Sequence, residues 1–367
     1  MSSHLIKLIC VLERCTGNYS NIYYYPSAEA IETIVSVDVN DDAQPDIIVL
    51  FKANNSFDTR SSRETVRILF NNGNGIFTAQ TVFESSVVGS VTIAVTDVNS
   101  NGKNDIIIVL GGQSIKIHVF LDGNINTFAA VQKTFTNNLE FTSMLVADLN
   151  TDNKPDILVK SVHSSYIHIF FNTDNGTFNN QIIRDIDDRS SIVTTADLNN
   201  NGTIDIIATG GYQPRITVSL YEKNGKFFTD TLFFSRYIPS CMVVIDVNDD
   251  NKPDLILTQS DPDIISVYLN MDDKKFADPV IYLTSAYTIS LLVEDMNNDK
   301  KIDIVASSSD SIGILFNTGN GTFIPELSYP TNIKGYESAI NDMNTDNYPD
   351  LILGDGETIG ILYMHCD

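Results

Sequence analysis

The stretch that decides the fold is Asp148-Leu149-Asn150-Thr151-Asp152-Asn153-Lys154-Pro155-Asp156. It has Asp at its first and ninth positions, Asn at the third, and Asp at the fifth. Six further stretches share this pattern, with Asp or Asn at the fifth position: Asp38–Asp46, Asp97–Asp105, Asp197–Asp205, Asp246–Asp254, Asp295–Asp303 and Asp342–Asp350. We call the seven stretches Asp loops one to seven, in chain order. Successive loops begin 59, 51, 49, 49, 49 and 47 residues apart, a period typical of solenoids and propellers.

Each Asp loop is followed by a short apolar run, such as Ile106–Leu110 or Leu255–Leu257. A second phrase recurs between the loops, as in Asn71–Phe77, Asn172–Phe178 and Asn317–Phe323. Its Asn-Gly pair between apolar runs is a strong signal for a hairpin. Helical periodicity is absent. The repeat therefore predicts four short antiparallel strands, and seven repeats predict an all-β fold, a seven-bladed β-propeller of four-stranded blades.

The two ends of the chain complement each other. The last repeat supplies three strands, and Tyr19–Pro26 stands where a fourth strand belongs. We expect this N-terminal strand to complete the last blade and close the ring, which removes exposed sheet edges. Residues 18–367 are then a single propeller and residues 1–17 an N-terminal extension. Cys10 or Cys15 could form a disulfide with Cys366 at this seam, and free thiols near the chain ends are the alternative.

The Asp loops place oxygen atoms at alternate positions of a tight loop. Hard divalent cations bind six to eight such oxygens, and Ca²⁺ tolerates irregular geometry better than Mg²⁺ does. Plain turns also favour Asp and Asn, but seven copies in register favour metal. The loops contain no His or Cys, which argues against zinc. We predict up to one Ca²⁺ per blade, with these ligands: Asp38, Asn40, Asp42, Asp46, Asp97, Asn99, Asn101, Asp105, Asp148, Asn150, Asp152, Asp156, Asp197, Asn199, Asn201, Asp205, Asp246, Asn248, Asp250, Asp254, Asp295, Asn297, Asp299, Asp303, Asp342, Asn344, Asp346 and Asp350.

The seven loops are not equivalent. Loops three, five and seven have Asp at the fifth position and Asn at the sixth, a residue that tolerates left-handed backbone. Loops two and four have Asn at the fifth position and Gly at the sixth. Loops one and six have Ala43 and Lys300 at the sixth position, which strains the turn or repels the ion. We expect loops three, five and seven to bind calcium most tightly.

The overall composition argues against some classes of function. The formal net charge is −24, and 21 of the 47 acidic residues lie inside the Asp loops. A basic footprint for nucleic acid is absent, and no stretch of apolar residues is long enough to span a membrane. Lys7 and Glu13 interrupt the N-terminal apolar segment, which is atypical of a signal peptide.

With these loops and turns, the chain resembles the FG-GAP/VCBS repeat family, the propeller type of integrin α-subunit head domains. The most specific match is Asp-x-Asn-x-Asp-x-x-Pro-Asp, as in loops three, five and seven. The resemblance implies a seven-bladed propeller with Ca²⁺ between the first two strands of each blade. It also implies adhesion or ligand binding outside the cell. The Phe-Gly and Gly-Ala-Pro strings of the integrin branch are absent, so integrin ligands are not implied.

A ligand surface is expected on the face opposite the Asp loops. That face carries the irregular connections, and variable loops on a rigid scaffold often bind ligands. Tyr and Arg are enriched at binding hot spots. The candidates are Tyr212, Arg215, Arg236, Tyr237, Tyr287 and Tyr336, with simple decoration of turns as the alternative.

No catalytic set stands out among the sequence motifs. The leading hypothesis is a non-enzymatic, Ca²⁺-stabilised module that binds a protein or glycan outside the cell, because loops of this kind bind calcium at roughly 10⁻⁴ to 10⁻³ M. One alternative is a polysaccharide lyase or hydrolase, which predicts converging carboxylates or His at the axial mouth. A second alternative is a multivalent lectin with equivalent aromatic residues in every blade. A binding module predicts a patch of aromatic and Arg side chains instead of converging carboxylates.

Overall fold

The structure is a computed structural model. It describes residues 22–26, 29–52, 64–73, 76–85, 91–111, 115–121, 130–135, 141–161, 167–174, 176–183, 192–209, 214–222, 226–235, 237–260, 262–271, 275–331, 333–356 and 358–364. Over these ranges, secondary structure consists of strands, turns and bends. No helix in this part of the chain has the length and apolar character needed to cross a membrane.

The described residues form short strands that alternate with loops. Their bounds are β1 Ile22–Pro26, β2 Ala30–Val37, β3 Asp46–Lys52, β4 Glu64–Asn71, β5 Phe77–Ser85, β6 Val91–Thr96, β7 Asp105–Leu110, β8 Ile115–Phe120, β9 Ala130–Phe135, β10 Phe141–Ala147, β11 Asp156–Ser161, β12 Ile167–Asp174, β13 Thr177–Ile183, β14 Ile192–Ala196, β15 Asp205–Thr209, β16 Arg215–Glu222, β17 Lys226–Phe234, β18 Pro239–Ile245, β19 Asp254–Gln259, β20 Ile264–Tyr268, β21 Val280–Leu283, β22 Ser290–Glu294, β23 Asp303–Ser307, β24 Ser311–Leu315, β25 Leu327–Pro330, β26 Glu337–Asn341, β27 Asp350–Gly354 and β28 Thr358–Leu362.

The strands assemble into seven antiparallel sheets of four strands each. Blades one to six take consecutive strands, from β2–β5 in blade one to β22–β25 in blade six. Blade seven has the order β1-β28-β27-β26, so its outer strand comes from the other end of the chain, with Tyr24 opposite Gly360. The predicted all-β, seven-bladed propeller is confirmed.

The first strands of the blades form a complete circle of neighbours. Strands β2, β6, β10, β14, β18, β22 and β26 contact one another in this order, and β26 contacts β2. Seven separate hydrophobic clusters lie between adjacent blades. Ile107 of blade two and Phe170 of blade three, for example, share one cluster and are fully buried. Stability therefore depends on each blade packing against the next, as expected for a repeat fold.

Some predicted details differ from the structure or lie outside it. The second strand of each blade begins at the ninth residue of the Asp loop rather than after it, as where Asp156 pairs with Ala147. The predicted N-terminal extension, Cys10, Cys15 and Cys366 lie outside the described residues, so the disulfide stays a prediction. Cys241 is a free, half-buried thiol.

Candidate functional site

The backbone of the Asp loops has left-handed residues at two positions. The sixth residue has positive φ in all seven loops, including Ala43 at 64° and Lys300 at 67°. The fourth residue is also left-handed in every loop, as in Thr151 at 61°. The sequence analysis anticipated the sixth position and missed the fourth, because Asp, Ser, Thr and Asn there give no glycine signal. Two left-handed residues turn successive backbone N–H groups inward, as in anion-binding nests.

These N–H groups bind the side chains at the first, third and fifth positions. In loop three, the N–H of Asp152 donates to Asp148 Oδ1 at 3.0 Å and to Asn150 Oδ1 at 3.0 Å. The N–H of Asn153 donates to Asp148 Oδ2 at 2.8 Å, and that of Lys154 to Asp152 Oδ1 at 3.0 Å. The other six loops repeat all four bonds. The predicted ligands at these positions therefore lie on one fixed cup in every loop.

The ninth Asp lies beneath the cup and is 0% exposed in all seven loops. In loop three, Asp156 Oδ2 accepts the N–H of Leu149 at 3.0 Å, and Oδ1 accepts the N–H of Asn172 at 2.8 Å. Burial raises the pKa of Asp156 to about 7, although the two N–H groups lower it. The ninth Asp thus joins its own loop to the third strand of its blade.

Four asparagines at the end of a third strand connect neighbouring blades. In Asn317, Nδ2 donates to the carbonyl of Val247 in the preceding blade at 2.8 Å and to that of Ile302 at 2.9 Å. The N–H of Val247 itself donates to Asp254, the ninth residue of loop five, at 3.0 Å. The equivalent side chains are Asn71, Asn172 and Asn270. We call these four residues the inter-blade asparagines. The sequence marked them only as part of a hairpin turn.

The cup suits a hard cation. An ionised carboxylate has about four acceptor sites, and each oxygen of Asp148 uses one for a backbone N–H, so others stay available to an ion. The first, third and fifth residues would hold the metal, and the ninth would contribute its second acceptor sites. Among the described residues, no three His, Cys, Asp or Glu side chains gather closely enough to form a cage by themselves. Amide and carbonyl oxygens would therefore supply part of the shell, as they do for Ca²⁺.

In loop six, a lysine of the loop itself pairs with one of the predicted metal ligands. Lys301 Nζ lies 3.0 Å from Asp299 Oδ2. In loop three, the corresponding oxygen of Asp152 accepts a hydrogen bond from Asn150 Nδ2 at 3.2 Å. The ammonium group of Lys301 thus pairs with a carboxylate that we predict as a metal ligand.

The four predicted ligand residues that the structure describes fall on the face opposite the Asp loops, which we call the opposite face. Tyr287 and Tyr336 lie in the connections that lead into blades six and seven, and they are 48% and 45% exposed. Tyr237 and Arg215 are half-buried. Tyr212 and Arg236 lie outside the described residues. Ile238, which the sequence analysis did not select, is 45% exposed in the connection into blade five.

The opposite face also contains a group of carboxylates that the sequence analysis missed. Burial and the nearby Glu32 raise the pKa of Glu64 and of Glu337 to about 7. Glu32 is in β2, Glu64 begins β4, and Glu337 begins β26. Converging carboxylates or histidines were the feature expected of an enzyme. The carboxylates lie in blades one and seven, whereas the two described histidines, His118 and His168, lie in blades two and three.

The fold and the Asp loops define the class of protein to which this chain belongs. A seven-bladed propeller with one Asp loop in each blade defines a class of repeat propellers. The model of the FG-GAP-like repeat matches residues 38–108, 97–159, 197–257, 246–306 and 295–353. These segments cover more than half of the chain, which therefore belongs to the FG-GAP-like repeat family. No curated protein sequence matches the chain.

Solved structures with the same fold are distant in sequence. An Agrocybe aegerita lectin, described as recognising non-reducing terminal N-acetylglucosamine, superposes with a TM-score of 0.62 at 18% identity, over 83% of this chain and 81% of that chain. BBS1N in complex with ARL6DN superposes with a TM-score of 0.62 at 10% identity, over 93% of this chain and 96% of that chain. At these identities the similarity concerns the fold alone.

Proposed function

We propose that this protein is a non-enzymatic, calcium-stabilised propeller that binds a protein or glycan ligand outside the cell. The observation that carries the proposal is that all seven Asp loops have the same hydrogen-bond pattern. The same acceptor oxygens are held by the same backbone N–H groups in each blade. A purely structural turn needs no such set of carboxylates, which repel one another without a cation.

The calcium role follows from where the loops lie. Each loop joins the first two strands of a blade, and in loops one, three, five, six and seven the ninth Asp also accepts an N–H at the end of the third strand. An ion bound to the loop would therefore stabilise three strands at once. Ligands that bind only the folded state stabilise it by mass action. Weak sites of this kind fill at extracellular calcium levels, which is the reason for the proposed location.

The ligand role is supported by the connections on the opposite face. The connections into blades five, six and seven begin with the same turn, in which Ser235, Thr284 and Thr331 donate hydroxyl hydrogen bonds to a carbonyl two residues later. Each then exposes a large side chain, namely Ile238, Tyr287 or Tyr336. Exposed apolar side chains that are held on rigid turns suit binding. Similar propellers are described with a glycan and with a protein partner.

Calcium removal tests the first half of the proposal. We expect chelation to lower Tm by more than about 10 °C, because several sites each contribute roughly 1–2 kcal/mol. Mass spectrometry under native conditions should count the bound ions. An unchanged Tm together with an ion-free mass would refute calcium stabilisation.

Ligand screening tests the second half. The calcium-loaded protein should bind members of a glycan array or a surface-protein array, and Tyr287→Ala with Tyr336→Ala should weaken binding about tenfold or more. Met271→Ala is the matched control, because Met271 is 61% exposed on the Asp-loop face. Equal losses in the control and in the tyrosine variants would exclude the opposite face as the binding surface. Binding in several blades at once would favour the multivalent lectin.

The carboxylates on the opposite face favour an enzyme as the second candidate. Paired carboxyl groups with separated roles are the usual machinery of glycoside hydrolysis. Two features make an enzymatic function less well supported than a ligand-binding function. Glu32 is held by Lys52 at 2.7 Å, and Glu64 is only 1% exposed. Release of reducing sugar from polysaccharides by the wild type, and its loss in Glu337→Gln, would establish the enzyme.

A further inference from the structure

The carboxylates of the opposite face are exceptions within the repeat. Glu32 lies six residues before its Asp loop, where the other repeats have Val91, Thr142, Ser191, Ser240, Ile289 and Tyr336. Glu337 lies five residues before its loop, where the others have Thr33, Thr92, Ser143, Ile192, Cys241 and Ser290. Acids thus occur at these positions only in blades one and seven, which are neighbours. Since the five other blades fold without them, the propeller itself does not require them.

The backbone brings the two acids together. The register between β2 and β3 shifts between Ile31 and Thr33, which leaves Glu32 in a bulge. Bulges re-aim a side chain and are common near functional sites. On the blade-seven side, Gly354 pairs with Glu337, and a Cβ at Gly354 would lie 2.6 Å from Ile34 Cδ1. The glycine therefore lets blade one approach closely, which places Glu32 beside Glu337.

Glu64 is a buried carboxylate directed into this group. It is 1% exposed, and its Oε2 has no hydrogen-bond partner. The charges that act on it come from Glu32 and Lys52. An unpartnered buried carboxylate is costly, so its place near Glu32, which also acts on Glu337, indicates that the group is completed by a cation.

The described charges leave this group with an excess of acid. Lys52 Nζ binds Glu32 Oε1 at 2.7 Å, and Arg67 Nη2 binds Glu29 Oε2 at 2.7 Å. Lys334 Nζ lies over the Tyr336 ring, 5.9 Å from its centroid. Neither Glu64 nor Glu337 has an ion pair among the described residues. Lys334 also illustrates that a cation fits against Tyr336, next to Glu337.

We propose that Glu32 and Glu337, with the buried Glu64 beside them, bind a lysine or arginine side chain of a partner protein. The proposal deepens the binding function proposed above and rests on it. A side-chain cation suits this group, because Lys52 Nζ already binds Glu32 Oε1 at 2.7 Å and further acid remains beside that pair. Tyr336, 45% exposed and next to Glu337 in the chain, already has Lys334 Nζ over its ring, so we assign the partner's cation to the carboxylates.

The binding should depend on pH in a defined direction. Burial raises the pKa of Glu337 and Glu64 to about 7, and a cation binds the ionised form. For a carboxyl group of this pKa, the ionised fraction rises from about a tenth at pH 6 to about nine tenths at pH 8. Affinity should therefore increase about tenfold over this interval. The other charged groups nearby are Glu29, Glu32, Lys52, Arg67 and Lys334.

The test is an NMR titration of the full chain at saturating calcium, with labelled isoleucine methyl groups. The probes are the acetylated, amidated tripeptides with Gly on each side of Lys or Arg, and the matched peptide with norleucine. We expect saturable shifts at Ile31 and Ile34 at about pH 8 with the Lys or Arg peptide but not with norleucine. Glu337→Gln and Glu32→Gln should each weaken binding about tenfold.

The control variant is Glu84→Gln, which neutralises an exposed acid in the same blade. Equal weakening by Glu84→Gln would mean non-specific attraction and would overturn the proposal. Absence of saturable shifts, or shifts with spermidine but with neither peptide, would also overturn it. Tm measured with and without calcium in each variant verifies folding, and it separates failure of this site from failure of the calcium loops.

Discussion

The two faces of the propeller both bury carboxylates but satisfy them differently. On the Asp-loop face, each ninth Asp is 0% exposed and accepts backbone N–H groups that the fold itself provides, as for Asp156. On the opposite face, Glu64 is 1% exposed and its Oε2 has no hydrogen-bond partner. Buried polar groups are almost always satisfied in native proteins. The first set is therefore part of the scaffold, and the second depends on something that binds to it.

The largest effect is expected when a scaffold carboxylate becomes an amide. In Asp156→Asn, an NH₂ group would face one of the two N–H donors, from Leu149 or Asn172. We expect a loss of about 2–3 kcal/mol in the free energy of unfolding, measured by urea denaturation with chelator present.

The control for that change is Asp152→Asn in the same loop. Loops two and four already have Asn101 and Asn201 at this position, with the same bond from the seventh residue. We expect less than about 0.5 kcal/mol without calcium. Equal losses in the two variants would show that the ninth Asp has no special structural role.

The next effect concerns the inter-blade asparagines. Asn317→Ala removes the donor that serves the carbonyls of Val247 and Ile302. The loss should be about 1–2 kcal/mol, because two buried acceptors lose a partner and neighbouring blades lose a link. Hydrogen exchange should accelerate at the contact between blades five and six. Exchange that changes only within blade six would contradict the inter-blade role.

On the opposite face, replacing a carboxylate by an amide should increase stability instead of decreasing it. The folded-state pKa of Glu337, about 7, lies above the ordinary value of 4.5. Its ionised form is thus disfavoured by folding, so the cost is absent below about pH 4.5 and complete above about pH 7. Glu337→Gln should raise Tm by about 2 °C at pH 8 and leave it unchanged at pH 4.5. A lower Tm at pH 8 would remove the distinction between the two faces.

The smallest effect on stability is expected for a lysine in one of the Asp loops. Lys301 and Asp299 form the kind of side-chain ion pair that Lys52 and Glu32 form on the opposite face. Lys301→Gln should change stability by less than about 0.5 kcal/mol without calcium, because exposed pairs contribute little. It should strengthen calcium binding at loop six several-fold, measured by calorimetry. Lys103→Gln in loop two, whose lysine instead contacts Asp41 at 3.4 Å, is the control.

The repeat made much of the fold predictable. Period, apolar runs and Asn-Gly turns define four strands per blade, because such signals are local. Strand bounds were less accurate, and β11 begins at Asp156 rather than after it, because pairing with β10 extends the strand. The left-handed fourth position was missed, since Thr151 has no intrinsic preference for it.

The carboxylates of the opposite face were not predicted, because Glu32, Glu64 and Glu337 are far apart in the chain. A comparison of repeats would have marked Glu32 and Glu337 as charged exceptions. Only the bulge at Glu32 and the close approach at Gly354 decide that they meet.

The sequence by itself thus determined the number of blades and the chemistry of the Asp loops, because both are written within one repeat of about 50 residues. The tertiary structure decided which buried carboxylates the backbone satisfies and which it leaves for a partner. Those outcomes depend on contacts between blades, as between Asn317 and Val247 or between Gly354 and Ile34. Such contacts form only when the whole circle of first strands is assembled.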